Sequence, residues 1–372
     1  MVSENPFRAD QVGSLLRPPE LLAARAAFKE GTLDRAALRA REDEAIAEAV
    51  GRQEATGLPV VVDGEFRREN FWIDFIAGID GLTIGGADDD AAFSNAPDEN
   101  APYRPKVVRT TGRIGHAGVV LKDDFEFLQK CTTRTPKITL PSPTRAHVLG
   151  GRAAVDRDVY PDIDGFWSDL AGVYRDEIAG LEALGCRYIQ IDDPYLANFV
   201  DPKQRAHLEE LHGDTDALLE RYVAALNDCM RARRPETTLA VHICRGNARS
   251  TWIASGGYGP IAEPVFSKLE ADTLLLEYDD DRSGDFEPLR HVRQDATVVL
   301  GLLTTKRGEL EDRAVVEQRI EDAARFVPKE RLALSPQCGF ASLAAGNLIA
   351  PDEQWRKLAL VVDIAQEVWG RV

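Results

Sequence analysis

The chain has 372 residues, of which 44% are hydrophobic and 29% are charged, so it is long enough to bury a sizeable core. A formal net charge of −17 argues against polyanionic partners such as nucleic acids or anionic membrane surfaces. No stretch approaches the roughly 18 apolar residues that a membrane span needs, and the first ten residues show no secretory signal.

Short apolar segments that are typical of buried strands recur along the chain. The predicted strands are residues 7–14, 58–65, 137–142, 187–193, 239–244, 273–279, 297–305 and 332–338. Longer amphipathic segments between them predict helices, among them residues 35–57, 165–186, 214–234 and 312–327. Eight such alternations predict an α/β protein that closes into a (β/α)8 TIM barrel. An open doubly wound sheet is the alternative, but no GxGxxG motif follows an early strand.

One long segment interrupts the alternation after the second strand. Residues 85–106 are polar and rich in Gly, Asp, Asn and Pro, which predicts an exposed loop. After this loop we expect a short hairpin, in which residues 107–114 pair with residues 118–121. No linker or repeat divides the chain, so we expect one barrel over residues 1–372 with an insertion at residues 84–125.

Polar residues end almost every predicted strand. In a barrel the carboxyl ends of the strands converge on the face that binds ligands. The residues at these ends are Ser14, Asp63, Glu65, Ser142, Asp192, Asp193, His242, Cys244, Glu277, Asp279, Thr304, Lys306 and Cys338. Apolar packing does not require this pattern, which therefore indicates a site for a metal or a small ligand.

Four of these residues form a chemically coherent set of zinc ligands, namely His242, Cys244, Glu277 and Cys338. His242 and Cys244 are two residues apart, so on a strand they face the same side. Cys244 taken alone is more typical of a core cysteine. The histidine, the carboxylate and the second thiol at other strand ends are what favour zinc.

The remaining cysteines, Cys131, Cys186 and Cys229, fall in loop or helix contexts and are interpreted as bystanders. Five cysteines scattered over a long chain are not a disulfide framework. They fit a reducing compartment, and the cytoplasm is the expected location.

The segments VHIC, LLLEYD and SPQCGF, which contain these ligands, resemble the zinc-ligand motifs of the cobalamin-independent methionine synthase family and its single-barrel relatives. Segments similar to the single-barrel branch continue along the chain as FRADQVGSLLRP, VVDGEFRRENFWIDF, IQIDDP, GDFEPLR, LGLLTTKRGELED and LSPQCGFAS. The resemblance implies a (β/α)8 barrel with Zn²⁺ as its cofactor, bound by His242, Cys244, Glu277 and Cys338.

The resemblance also implies which residues bind substrate. Ser14, Glu65 and Asp192 correspond to groups that hold the amino-acid part of homocysteine, with Arg17 and Trp72 as further substrate-binding positions. Glu65 and Asp192 are the expected catalytic residues, since carboxylates suit an ammonium group. The implied activity is a zinc-dependent thiol S-methyltransferase that makes methionine from homocysteine, because coordination converts a thiol into a nucleophilic thiolate.

The chain departs from the family pattern at several positions. The second, N-terminal barrel of the full-length synthases has no counterpart in these residues, and LLTTKRGELED replaces a His-Ser-Pro context. Gln11 and Trp72 stand where many single-barrel relatives have histidine. These departures leave the methyl donor open between a folate, a methylated corrinoid protein and a simple sulfonium or betaine compound.

Two other functions stay open at this point. One is alkyl transfer to a different small thiol, as in the epoxyalkane–coenzyme M transferases, although a carboxylate pair favours an ammonium over a sulfonate. The other is a non-catalytic barrel that holds a structural zinc. The expected partners are a small thiol and a methyl donor, and the sequence is compatible with a homo-oligomer without requiring one.

Some side chains near these motifs allow two interpretations. Arg67 and Arg68 either bind an anionic substrate or pair with Asp63, Glu69 and Asp74. Lys306 either contacts substrate or forms a salt bridge with Glu277 or Asp279. The aromatic residues Phe71, Trp72 and Phe75 either stack on a flat donor or belong to the core and the pocket wall.

Overall fold

A curled sheet of parallel strands organises the protein, whose computed structural model describes residues 7–87 and 106–372. The strands in chain order are β1 (Val60–Val61), β2 (Asp80–Ala87), β3 (Lys106–Gly115), β4 (Thr135–Pro141), β5 (Tyr188–Asp192), β6 (Thr238–Ile243), β7 (Thr273–Glu277), β8 (Thr297–Leu303) and β9 (Leu332–Pro336). The parallel sheet has the order β1-β4-β5-β6-β7-β8-β9. The predicted α/β barrel is thereby confirmed. Five of its strands (β1, β5, β7, β8 and β9) are two to six residues shorter than expected, whereas β6 has the expected length and β4 is one residue longer.

The predicted first strand, residues 7–14, is not a strand in the structure. This segment makes one parallel bridge, between Ala9 and Leu334 of β9. Its backbone then reaches the other edge of the sheet, where Leu15 N donates to Gly64 O at 3.1 Å. The segment therefore lies between β9 and the end of β1 and closes the barrel. The neighbouring residues Asp10 and Gln11 point to opposite sides of the segment. Asp10 accepts a hydrogen bond from Lys137 Nζ at 2.8 Å inside the barrel, whereas Gln11 Nε2 donates to Gln53 Oε1 at 2.6 Å on the outside.

Helices cover the outside of the sheet. They are α1 (Pro19–Lys29), α2 (Arg35–Thr56), α3 (Ile73–Ala77), α4 (Lys122–Cys131), α5 (Ile163–Ala183), α6 (Pro202–His212), α7 (Thr215–Met230), α8 (Gly259–Ile261), α9 (Arg313–Ala323) and α10 (Pro351–Trp369). Local sequence sets their ends. Helix α2, for example, begins where Asp34 accepts a hydrogen bond from Ala37 N and ends at Gly57, whose φ of 94° favours glycine. No helix in residues 7–87 and 106–372 is long and apolar enough to cross a bilayer.

The two faces of the sheet carry different residues. The outward face packs against the helices in one large apolar core. The inward face forms a separate small cluster of Val12, Val60, Tyr188, Ala240, Leu275, Val299 and Ala333. Because side chains alternate along a strand, the residues two and four positions beyond this cluster also point inward, at the carboxyl end of the barrel. Asp192, His242, Cys244 and Glu277 occupy such positions.

The insertion contains a hairpin with a different partner from the one expected. Strand β3 pairs antiparallel with β2, with Leu82 opposite Thr110 and Ile84 opposite Val108. Residues 118–121 are not a strand, because Val120 N and Leu121 N donate instead to the buried carboxylate of Glu177. Most of the predicted loop, residues 88–105, lies outside the described residues.

Candidate active site

The carboxyl ends of the strands open into a cleft that combines a polar side with an apolar wall. Such a combination is typical of small-molecule sites. Its polar lining consists mainly of Ser14, Glu65, Asp192, His242, Cys244 and Cys338. An apolar wall faces them, built largely from Phe71, Leu149, Tyr195, Ile253 and Leu343.

Three of the four predicted zinc ligands come together. One ligand atom from each of His242, Cys244 and Cys338 lies within 4.8 Å of the others, and all three side chains are buried. His242 lies on β6 with Ala240 of the inward cluster two residues before it, and Cys244 follows β6 on the same face. Cys338 comes from the loop after β9.

The imidazole of His242 is oriented as metal-binding histidines usually are. Its Nδ1 lies 3.3 Å from Leu275 O, which can accept the ring N–H. Its Nε2 is buried without a nitrogen or oxygen partner in the part of the chain that the structure describes, and the ring interacts with the Cys338 sulfur. A donor set of one imidazole and two neighbouring sulfurs fits zinc.

The two thiols differ in acidity because they lie next to each other. A hydrogen bond from Cys244 and the adjacent His242 ring hold the pKa of the Cys338 thiol well below its usual range. The same contact with Cys338, together with burial, raises the pKa of Cys244. The cluster thus favours one thiolate, which is the form of cysteine that binds metals.

The fourth predicted ligand, Glu277, lies outside this group of three. Its Oε2 accepts a hydrogen bond from Arg245 N at 2.7 Å. Its Oε1 lies 3.3 Å from Lys306 Nζ and 3.4 Å from an Arg282 Nη atom. Lys306 therefore forms the predicted salt bridge, which extends to Asp279 at 3.5 Å, and it is absent from the cleft lining.

The predicted substrate carboxylates, Asp192 and Glu65, line the same cleft as the two sulfurs. Asp192 Oδ1 accepts a hydrogen bond from Gln190 Nε2 at 2.7 Å, and Glu65 Oε1 accepts one from Thr139 Oγ1 at 2.8 Å. Burial raises the pKa of Asp192 to about 7 and also raises the pKa of Glu65. Glu65 has a φ of 59°, which few residues other than glycine adopt. The backbone that places this carboxylate in the cleft is therefore strained.

Two other predicted substrate residues lie behind the cleft. Arg17 is buried and donates to Glu65 O at 2.8 Å and to Arg68 O at 2.9 Å, which braces the turn that carries Glu65. Trp72 is 1% exposed, and the Arg145 guanidinium stacks on its ring at 3.6 Å. Neither residue lines the cleft, because both are committed to neighbours. Of the three predicted aromatic residues, Phe71 lines it.

The paired arginines bind the protein's own carboxylates. Arg67 forms ion pairs with Asp43 and Asp124, which lie far from it in the sequence. Arg68 lies 3.8 Å from Glu65 and donates to Thr139 Oγ1 at 2.9 Å. Both arginines thus form ion pairs, but with Asp43, Asp124 and Glu65 instead of the expected Asp63, Glu69 and Asp74.

Two asparagines that the sequence analysis missed, Asn247 and Asn347, join the loops that carry Cys244 and Cys338. Their contacts are called the clasp below. Asn247 Nδ2 donates to Gly339 O at 2.7 Å, next to Cys338. Asn347 Nδ2 donates to Thr305 O at 2.9 Å, and its Oδ1 accepts from Ser250 N at 3.0 Å. The only sign of these contacts in the sequence is that Asn247 follows the predicted ligand Cys244 by three residues.

Known proteins resemble this chain along nearly its whole length. The family model described as "Cobalamin-independent synthase, Catalytic domain" matches residues 7–367. The uncharacterized protein YxjH of Bacillus subtilis is 42% identical over 366 residues, which cover 98% of this chain and 95% of that protein. The structure of a candidate vitamin-B12-independent methionine synthase from Listeria monocytogenes is 34% identical, with a TM-score of 0.76 and coverage of 98% and 99%.

A more distant relative extends beyond the region of similarity. The 5-methyltetrahydropteroyltriglutamate–homocysteine methyltransferase of Trichodesmium erythraeum is 24% identical over 335 residues, which cover 90% of this chain and 41% of that enzyme. The match thus spans less than half of the longer protein. Because the family model covers residues 7–367 and YxjH matches end to end, this chain belongs to the methyltransferase family defined by the catalytic domain of the cobalamin-independent synthases.

Proposed function

We propose that this protein is a zinc-dependent S-methyltransferase that transfers a methyl group to the thiol of homocysteine and so forms methionine. The observation that carries the proposal is the buried group of His242, Cys244 and Cys338, which opens onto a cleft with two buried carboxylates. Zinc held by these three residues would supply a Lewis acid that keeps the substrate sulfur deprotonated.

The carboxylates support an amino-acid thiol as the acceptor. Glu65 and Asp192 line the cleft, and none of the cleft-lining residues in the described ranges is a lysine or an arginine. An α-ammonium group would neutralise two carboxylates whose burial disfavours their charge. A sulfonate thiol, by contrast, would place a third negative charge beside them.

The division of roles among the residues follows from their positions. Asp192 and Glu65 bind the ammonium and so fix the direction of the substrate chain, while Ser14 adds a hydroxyl at the cleft wall. The apolar wall at Phe71 and Leu149 excludes water from the reacting sulfur. The thiolate attacks the donor's methyl carbon, forming a C–S bond while the bond from that carbon to the donor breaks.

A cytoplasmic location suits this chemistry. The cluster needs reduced cysteines, and all five cysteines of the chain are free. A reducing compartment keeps such thiols available for a metal. A small thiol and a methyl donor are the proposed partners.

The test is a screen of methyl donors with the zinc-loaded protein. We expect about one zinc per chain, and methionine, detected by mass, from homocysteine with one donor among a methylfolate, methylcobalamin and sulfonium or betaine compounds. Cys338→Ser should lose the zinc and the product, because one of three ligands is removed, whereas Cys131→Ser should retain both.

A wild-type protein without zinc, or a Cys338→Ser variant that binds zinc as well as wild type, contradicts the proposed centre. If a methylated product forms only with 2-mercaptoethanesulfonate, the acceptor is a sulfonate thiol and not homocysteine.

A further inference from the structure

Gln190 lies on the inward face of β5, between the core of the barrel and the cleft. Its neighbours on that face are Tyr188, which belongs to the inward cluster, and Asp192, which lines the cleft. The Gln190 side chain is fully buried, and it is absent from the cleft lining in the described part of the chain. Its amide therefore contacts the residues that face a substrate without facing the substrate itself.

We infer that Gln190 is a positioning residue for the amino-acid group of the thiol substrate, because its amide joins the two segments that carry Ser14 and Asp192. The inference rests on the proposed function, in which both residues bind that group. It assigns to Gln190 the task of holding these two sides of the site at a fixed distance.

The Nε2 atom of Gln190 makes the contacts to both sides. It donates to Asp192 Oδ1 at 2.7 Å and to Val12 O, two residues before Ser14, also at 2.7 Å. An amide nitrogen carries two hydrogens, so this pair of contacts uses both of them. Because Val12 and Asp192 each line the cleft, one planar group connects its two sides.

Lys137 determines which way the Gln190 amide points. Its Nζ donates to Gln190 Oε1 at 2.9 Å and to Asp10 Oδ1 at 2.8 Å. In a reversed amide, the Nε2 hydrogens would face this ammonium, and Oε1 would face Val12 O and the Asp192 carboxylate. Three favourable contacts would become repulsive in a buried region, where such losses are large. The ion pair therefore fixes one orientation of the amide.

The segment of residues 7–14 depends on these side chains because its strand pairing is short. Within the described chain it makes one isolated bridge to β9. Two consecutive carbonyl oxygens further along, those of Gln11 and Val12, accept hydrogen bonds from Lys137 Nζ and Gln190 Nε2. Side chains of β4 and β5 thus make contacts that a neighbouring strand makes in an ordinary sheet. Loss of the Gln190 amide should loosen the segment beside the cleft.

The experiment compares Gln190→Met, which removes the amide at similar volume, with Gln53→Met as the matched control. Gln53 is an equally buried glutamine on α2, and its amide donates to Ala49 O at 3.1 Å and to Val62 O at 2.9 Å on the outer side of the sheet. Initial rates are measured with the zinc-loaded proteins and the methyl donor found in the screen.

We expect Gln190→Met to raise the KM for homocysteine roughly tenfold and to change kcat less than about threefold, because a hydrogen bond to a charged group is lost. Gln53→Met should change this KM less than about threefold, although it loses as many amide hydrogen bonds. Thermal unfolding of both variants measures their stability, which a purely structural role would lower without separating the two KM values.

Calorimetric titration with methionine gives a second readout that needs neither zinc nor a methyl donor. Metal-free Gln190→Met should bind methionine roughly tenfold more weakly than the wild type does. The matched ligand is 4-(methylthio)butanoate, which lacks the α-ammonium group, and its affinity should change less than about threefold because Asp192 does not bind it.

Lys137 is tested together with its counterion, since removing either one alone would leave a buried charge unpaired. The variant with Asp10→Asn and Lys137→Met should weaken methionine binding about threefold, because the Gln190 amide is then free to reverse. Added to Gln190→Met, these two changes should weaken binding no further, because they act through the same amide.

Equal affinities of the wild type and Gln190→Met for methionine would overturn the inference and leave the proposed function standing. Equal losses in Gln190→Met and Gln53→Met would show that the Gln190 amide serves stability only, which also overturns the inference. A wild-type protein that binds neither methionine nor homocysteine would contradict the proposed substrate as well.

Discussion

Asp192 is a buried residue with one neighbour on the next strand, His242, and one on its own strand, Gln190. It ends β5 beside His242 of β6, since the two are register partners in the sheet. Gln190, two residues earlier on the same inward face, donates to its Oδ1 at 2.7 Å. This hydrogen bond orients one oxygen of the Asp192 carboxylate from inside the barrel. The carboxylate also lines the cleft. This arrangement suits a group that binds a cation from above.

We expect Asp192→Asn to raise the KM for homocysteine by roughly 10- to 100-fold, because a hydrogen bond to a charged group contributes about 1.5–3 kcal/mol. Zinc content should stay at the wild-type level. The matched substrate is 4-mercaptobutanoate, which lacks the α-ammonium group, and its KM should change less than threefold. Equal losses for the two thiols would mean that Asp192 does not bind the ammonium. Initial rates over a range of thiol concentrations give both values.

At the scale of elements, the proposed metal centre depends on loops that the clasp holds together. Cys244 follows β6 and Cys338 follows β9, and these strands are separated in the sheet by β7 and β8. Asn247 bridges the distance by donating to Gly339 O at 2.7 Å and to Thr305 Oγ1 at 3.2 Å. The clasp therefore contributes to the separation of the two sulfurs.

Asn247→Ala should speed zinc release roughly three- to tenfold, which corresponds to the loss of one hydrogen bond between the cysteine loops. Transfer of zinc to an excess of chelator, followed in a stopped-flow instrument, measures this rate. Asn198→Ala is the control, since Asn198 also lines the cleft but its Nδ2 has no hydrogen-bond partner in the described chain. Equal release rates for these two variants would argue against a role of the clasp.

At the scale of the whole molecule, a buried ion pair reinforces barrel closure. Asp10, in the segment beside β9, binds Lys137 of β4 at 2.8 Å and accepts from Tyr188 OH of β5 at 2.5 Å. Lys137 Nζ also donates to Gln190 Oε1 at 2.9 Å. Contacts inside the barrel thus lead from the closing segment to the residue that orients Asp192.

Asp10→Asn should lower the free energy of unfolding by about 3–5 kcal/mol, because Lys137 would keep a buried charge without its counterion. Urea unfolding followed by circular dichroism measures the change. Glu44→Gln removes one partner of the exposed Arg41–Glu44 pair, which is 2.9 Å long, and should cost less than about 1 kcal/mol. Similar values for the two variants would show that the Asp10 pair contributes little to stability.

The barrel was predictable because short apolar segments mark the strands and amphipathic segments mark the helices. The inward residues at the strand ends followed from the alternation of side chains along a strand. Contacts between distant segments were not. The pairing of β2 with β3 and the single bridge at Ala9 depend on partners far along the chain. For the same reason the sequence could not reveal that Arg17 and Trp72 are buried against neighbours. The proposed ligand roles remain predictions.

The separation of the sulfurs along the chain has a consequence for biosynthesis. His242 and Cys244 leave the ribosome long before Cys338, and the barrel closes only when Leu334 of β9 can meet Ala9 near the start of the chain. A nascent chain therefore offers zinc at most two of its three proposed ligands. The complete set of proposed ligands would therefore form only after residue 338 has been synthesised, so tight zinc binding would follow closure of the barrel.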